Sequence, residues 1–296
     1  MRIAVVGVGA IGGYFAAQAA RAGHELVLCT RTPFAQLELQ TLDGAVQRVD
    51  APVHTDPEAI RAEGPADWVL LGAKAHQTDA CRAWLEILAG EGTRAVVALQ
   101  NGVEHEERVR PYIGDTPLLP STVLCGSEAP RPGYVVHHGF ARLEVPRGSL
   151  AEELAQLFEG VDASISPVDD MRTTVWRKLL TNVCASPITA LTGQRLRVMT
   201  RPELRNLAVG LVREAIEVAR AEGASIEVRD AEALVDGYAE INPEMGSSML
   251  YDRQAGRPTE IDALNGAVVR IGARHGIPTP LNDAVVGLLT VIDDPA

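Results

Sequence analysis

Residues 7–13 read GVGAIGG, closing the apolar run RIAVVGV at 2–8 and opening a stretch with the texture of a helix. A GxGxxG spacing alone is weak, but a strand before it and a helix after it are the context that gives it meaning. Gly7 allows a tight turn, Gly9 lets backbone approach a pyrophosphate, and Gly12 lets helix pack closely on strand, with Ala10 and Ile11 between them. Phosphates then sit at the positive end of the helix. Residues 3–20 also resemble the apolar region of a signal sequence behind Arg2, yet glycines at 7, 9, 12 and 13 break that run. Strand, turn and helix account for it better.

Working outward, ELVLCT at 25–30, DWVLLGA at 67–73 and RAVVALQ at 94–100 are further near-continuous apolar runs. Such runs suit a parallel sheet covered on both faces by right-handed helical crossovers. From about Leu118, STVLCGSE, GYVVHHG and ARLEVPRG read as short strands joined by Gly and Pro turns, added to close the first domain. Beyond Ser166 the pattern turns helical, over 169–184, 201–223, 229–240, 246–253, 258–275 and 279–292, with Pro202, Pro258 and Pro280 near helix starts. The expected class is α/β: a Rossmann-type dinucleotide-binding domain over 1–167 and an all-α domain over 168–296, packed directly with a cleft between them.

The 296 residues, 46% hydrophobic and 22% charged, suit an ordinary globular chain with two cores. A formal net charge of −12 repels polyanions, so nucleic acid and acidic membrane surfaces are excluded as partners, while a local basic pocket can still hold a small anion. Cys29, Cys81, Cys125 and Cys184 form no CxxC pair, which argues against a zinc site or disulfide framework and for a reducing cytoplasm. No metal is expected, and no run approaches the ~18 apolar residues of a membrane span.

The second strand ends LCTRT, where an NAD enzyme usually carries an acid for the ribose 2′-hydroxyl. Arg31 stands there instead and suits a 2′-phosphate, so NADP(H) is the expected cofactor. Lys74 and Asn101 follow the strands at 67–73 and 94–100, at carboxyl ends where ligands of open α/β sheets collect, although Asn101-Gly102 is also a common turn pair. In WRKLLTNVCASP, Lys178, Asn182 and Ser186 share one helix face beside the apolar stripe of Val175, Leu179 and Val183. Downstream lie Ser247, Ser248, Glu260 and Asp262. A hydride delivered to a carbonyl carbon leaves an alkoxide that needs a proton; lysine can donate it, glutamate can orient the lysine, and Asn or Ser can fix the substrate. Spacing alone does not bring Lys178 and Glu260 together, and on spacing alone a solvated face is the better reading of both.

These motifs in order, GVGAIGG, LCTR, GAKAHQT, QNGVE, WRKLLTNVCASPITALTG, SSMLYDRQAGRPTEID and HGIPTP, resemble the 2-dehydropantoate 2-reductase (ketopantoate reductase) family through nearly the whole chain. The resemblance implies a Rossmann domain joined to a helical domain like that of 6-phosphogluconate dehydrogenases. It implies NADPH-dependent reduction of 2-dehydropantoate to (R)-pantoate, for pantothenate and coenzyme A synthesis. Lys178 matches the family's catalytic lysine and Glu260 its active-site glutamate; Asn101, Asn182 and Ser248 match substrate or cofactor contacts, and Arg31 and Lys74 match contacts to NADPH. Ser186 departs from the pattern, standing where characterised members carry an asparagine before the proline, which leaves open a paralogue reducing another 2-oxo acid. A noncatalytic NADP(H)-binding regulator is a third reading, opposed by the intact lysine and glutamate. His137 and His138 point to opposite faces of a strand and read as solvated or turn residues; His76 and His105 read as loop residues, His275 as a helix end. Cys184 reads as a small buried thiol. The amphipathic helix at 203–221 serves either the domain core or a homodimer interface.

Overall fold

In β1 (Arg2–Val6) the side chains of Ile3 and Val5 enter one apolar core and those of Ala4 and Val6 another, so both faces of the strand are buried. That alternation makes the sequence run near-continuously apolar and places β1 inside a sheet. The structure, a computed structural model, describes residues 1–294, and the chain divides into two units, Met1–Asn101 with His105–Met171, and Gly102–Glu104 with Arg172 onward.

After β1 the first unit continues through α1 (Ala10–Arg21), β2 (Glu25–Cys29), β3 (Leu37–Gln40), β4 (Val46–Val49), β5 (Val53–His54), β6 (Trp68–Leu71), α2 (Arg82–Leu88) and β7 (Ala95–Ala98). It ends with α3 (His105–Val109), β8 (Leu118–Pro120), β9 (Thr122–Arg131), β10 (Tyr134–Pro146), α4 (Ser149–Leu157) and β11 (Ser164–Val168). The main sheet runs β5-β2-β1-β6-β7-β8, every pairing parallel. The chain leaves β1 toward β2 on one side and later places β6 on the other, so the turns after β1 and β6 open at the switch point where ligands of such sheets bind.

STVLCGSE, GYVVHHG and ARLEVPRG do not extend this sheet. They form a second one, ordered β11-β10-β3-β4 with β9 antiparallel to β10. The second and third of those segments are one strand: β10 runs through Gly139, whose φ of +148° accompanies a register shift between His137 and Ala141. His137 is buried against Tyr14, ring centroids 4.5 Å apart, and is not solvated; His138 is exposed.

The second unit comprises α5 (Met171–Thr192), α6 (Pro202–Ala221), α7 (Asp230–Asp236), α8 (Ser248–Gln254), α9 (Asn265–His275) and α10 (Pro280–Asp293). Pro202 and Pro280 open α6 and α10, where a missing N–H costs nothing. In α6, Leu211, Val212, Ala215, Ile216, Val218 and Ala219 are fully buried in this unit's core with Val183, Ala267, Val268 and Leu289. At about 1.5–3 kcal/mol per buried aliphatic side chain, that face is accounted for by the core.

Two helix expectations shift. The helix expected over 169–184 runs on through Pro187 to Thr192, and the one expected from 258 begins only at Asn265, after a turn. Among the described residues no helix is long and apolar enough to cross a membrane, and no cluster of three or more His, Cys, Asp or Glu could hold a metal ion.

Candidate active site

The three motif glycines do different work. Gly7 has φ +93°, and a Cβ there would lie 2.2 Å from the Ala73 nitrogen. A Cβ on Gly12 would lie 2.0 Å from the Gly7 carbonyl oxygen, and one on Gly72 2.7 Å from Gly12 Cα. Backbone crossing backbone after β1 and β6 therefore dictates glycine at both motif positions. Gly9 has no such reason: nothing lies within 4 Å of where its Cβ would be. It is the N-cap of α1, has no side chain to cap the helix, and is followed by a first turn without acidic residues. Free helix N–H groups, an open approach and no carboxylate are what a pyrophosphate needs. The turn fits the dinucleotide that its spacing implies.

Arg31 is exposed just past β2, on the loop holding half-buried Thr30, whose N–H donates to the His54 carbonyl (2.9 Å). Lys74 is half-buried and precedes a single 3-10 turn, Ala75–Gln77, closed by the Gln77 N–H on the Lys74 carbonyl (2.8 Å). Asn101 is half-buried after β7, its carbonyl accepting from the Arg108 guanidinium (3.1 Å).

Sequence reasoning missed what holds these loops. Gln100 is buried, and its amide Nε2 donates to the Ala73 carbonyl (3.0 Å) and the Thr78 hydroxyl (2.9 Å), tying the loop of Lys74 to that of Asn101. Thr78 passes its own proton to the Ala75 carbonyl (2.8 Å). The ring of His105 meets the Gln100 carbonyl at 3.0 Å. His105 is no loop residue: it opens α3 and is buried, and burial pulls its pKa down to about 4 against the opposing hydrogen bond to Gln100. The imidazole is neutral near pH 7 and donates from Nε2, since a carbonyl only accepts. An isolated His in QNGVEH carries no sign that its ring is buried.

In the second unit, Lys178, Asn182 and Ser186 lie along one face of α5, the first two half-buried and Ser186 buried. Leu179, Leu180, Val183 and Cys184 face the core. The Thr181 hydroxyl donates to the Lys178 carbonyl (2.7 Å), and Tyr238 donates to the Thr181 carbonyl (2.7 Å). Burial pushes the Cys184 thiol up to about 12, which makes it inert at neutral pH. Ser247 is structural: it caps α8 through the Leu250 N–H (3.0 Å) and pairs with Thr189 (2.7 Å). Ser248, the first residue of α8, is exposed.

Glu260 is 6% exposed, and its carbonyl accepts from the amides of Ala263 and Leu264, both at 3.1 Å, in the turn leading into α9. Thr259 anchors that turn, donating its N–H (2.8 Å) and hydroxyl (2.6 Å) to Asp293. Asp262 is exposed and paired at 2.5 Å with Arg270, which also holds Glu104 at 2.7 Å. The second unit thus collects Lys178, Asn182, Ser186, Ser248 and Glu260, and the first collects Gly7, Gly9, Ala10, Ile11, Gly12, Arg31, Lys74 and Asn101.

Residues 3–149 match the family described as Ketopantoate reductase PanE/ApbA, and residues 170–293 match its C-terminal family, Ketopantoate reductase PanE/ApbA C terminal. A 2-dehydropantoate 2-reductase of Mycobacterium tuberculosis strain H37Rv is 41% identical over 293 residues, covering 99% of this chain and 98% of its own. A PanE/ApbA family ketopantoate reductase from Ralstonia eutropha JMP134 superposes with a TM-score of 0.90 at 31% identity, covering 99% of each chain. A dimeric ketopantoate reductase from Staphylococcus aureus does so with a TM-score of 0.87 at 25% identity, also over 99% of each.

Proposed function

The chain belongs to the ketopantoate reductase family, and we propose that it reduces 2-dehydropantoate to (R)-pantoate with NADPH. The observation that carries this reading is the helical unit's pairing of two features: a face of α5 presenting Lys178, Asn182 and Ser186, and a separate turn bearing the buried carboxylate Glu260. A sensor of NADP(H) has no use for that arrangement.

The reduced nicotinamide supplies the hydride when bound. The turn at Gly7, Gly9, Ala10, Ile11 and Gly12 holds the pyrophosphate on the N–H groups of α1, Arg31 and Lys74 neutralise phosphate charge, and Asn101 serves the nicotinamide and substrate end. The Lys178 ammonium hydrogen-bonds the 2-oxo oxygen and gives up a proton as negative charge develops there; the amine left behind takes a proton back from water. Glu260 keeps the ammonium aimed, and Asn182, Ser186 and Ser248 hold the substrate's carboxylate and hydroxyls. Ser186 favours a second reading, another 2-oxo acid, because a short buried side chain leaves more room than the asparagine it replaces. The dimeric Staphylococcus aureus relative supports a homodimer, which sedimentation would test. The four free cysteines support a cytoplasmic location.

The deciding experiment follows NADPH oxidation with ketopantoate and a panel of 2-oxo acids, with NADH in parallel. The reading expects NADPH-specific turnover with ketopantoate best, and loss of the NADPH preference by about 10- to 100-fold in Arg31→Ala, the worth of a charged hydrogen bond. Tight NADPH binding with no turnover of any 2-oxo acid would overturn it.

A further inference from the structure

Pro187 stands inside α5, five residues before its end. A proline has no N–H, so the carbonyl four residues earlier, that of Val183, loses its helix partner. Val183 is fully buried, and an orphaned acceptor in such a place is costly. The helix nonetheless continues to Thr192, because Asn265 donates its side-chain Nδ2 to the Val183 carbonyl at 2.8 Å.

The orientation of that amide follows from its neighbours. The Leu211 carbonyl (3.2 Å) and the Glu214 carboxylate (2.7 Å) accept hydrogen bonds from the Asn282 Nδ2, so Asn282 turns its Oδ1 to Asn265. Asn265 must then present its NH2, and spends the second proton on that Oδ1 at 2.9 Å. Its own Oδ1 is buried and accepts nothing from the protein, so the residue is there for its two donors. Glu214 also caps the start of α10, accepting from the N–H groups of Leu281 (2.9 Å) and Asn282 (3.0 Å). The chain Val183–Asn265–Asn282–Glu214 thus joins α5, α9, α10 and α6, its first three members buried and Glu214 half-buried.

Asn265 is the first residue of α9, directly after the turn of Glu260, and Val183 directly follows Asn182. Resting on the reductase reading, we propose that Asn265 is a positioning residue: it replaces the helix hydrogen bond that Pro187 deletes, and so sets the α5 face of Lys178 and Asn182 against the turn of Glu260. The proline creates an acceptor in the middle of a helix, and the amide uses it as a tie point.

The test compares wild type, Asn265→Leu, Pro187→Ala and the double variant. In Pro187→Ala the new N–H returns to the Val183 carbonyl, and the Asn265 tie to it becomes dispensable. Asn265→Leu alone should lower kcat by about 10- to 100-fold, the effect of a small misplacement of reacting groups. Its Kd for NADPH, set by the first unit, should stay within about twofold of wild type. In the Pro187→Ala background the same substitution should cost several-fold less. A folded Asn265→Leu with wild-type kcat, or an equal loss in both backgrounds, overturns the inference. Should Asn265→Leu fail to fold, the double variant is expected to fold and to keep kcat within about tenfold of Pro187→Ala; its failure as well would make Asn265 a general core residue and overturn the tie. Wild type is assayed first, so a chain inert toward 2-oxo acids is recognised as failure of the reductase reading, which removes the positioning role with it.

Discussion

The turn after β1 and the face of α5 both enter the proposed function, but they are built from opposite materials. At the turn, what matters is the absence of side chains at three of six consecutive residues: Gly7 and Gly12 are required where backbone crosses backbone, and Gly9 leaves the approach to the helix end open. In the second unit what matters is side chains from separate stretches, Lys178 and Asn182 on α5 and Glu260 on the turn before α9, whose elements are joined by the hydrogen bond from Asn265 to the Val183 carbonyl 82 residues away. A backbone site is robust to nearly everything except an added Cβ. A side-chain site depends on every tie that holds its elements in register.

The largest break in that comparison is Lys178→Ala. Loss of the proposed proton donor should lower kcat by about 10²- to 10⁴-fold, the range for general acid catalysis, while NADPH affinity measured by fluorescence titration stays that of wild type. A variant that loses both would mean that the lysine serves the cofactor.

Acid sharpens it next. The His105 ring, buried in the first unit, has a pKa of about 4 where an exposed histidine has 6.5. Between those values the unfolded chain binds more protons, so the contribution of neutral His105 is complete above pH 6.5 and lost as pH falls toward 4, by up to about 3 kcal/mol. Urea unfolding at several pH values should show a weaker acid dependence in His105→Gln than in wild type; parallel curves would contradict the assignment. The side chains of Asn265 and Asn282 in the second unit are amides, which do not titrate.

The smallest effect is the most selective. Gly9→Ala meets no protein atom, so its Tm should equal that of wild type while NADPH binding weakens by about tenfold, the shielding of one helix end by a methyl group. Gly12→Ala, by contrast, should lower Tm as well, because its Cβ runs into the Gly7 carbonyl. Equal Tm losses in the two variants would erase the distinction between the glycines.

What could be read in advance follows the same division. The β1 strand, its glycine turn and α1 are contiguous, and their periodicity and glycine spacing carry their own physics. The parallel strands at 67–73 and 94–100 were legible for that reason too. The strands β3, β4, β5, β8 and β11 were not: they are short or lie at edges, and only pairing makes them strands. The break between 258 and 265 was hidden because TEIDALNG has helical apolar spacing, while Thr259 binding Asp293 holds the segment as a turn. Ser247 and Ser248 looked equivalent, and only the Leu250 N–H on its hydroxyl makes the first a cap, with Thr189 as its partner from α5.

By itself, then, the sequence determined the glycine turn between strand and helix, the succession of a parallel α/β region and a helical one, and the missing acid and present arginine at Arg31, and through family resemblance it put forward Lys178 and Glu260 as the proposed catalytic pair. Those features are local, or repeat a known order of motifs. Only the tertiary structure decided that Gly9 alone of the three is spared by the protein, that His105 is a neutral buried ring bracing the loops of Lys74 and Asn101, and that Pro187 is answered by Asn265. Each of those depends on a partner far along the chain, and burial and hydrogen bonding between distant residues leave no periodic trace in the residues that make them.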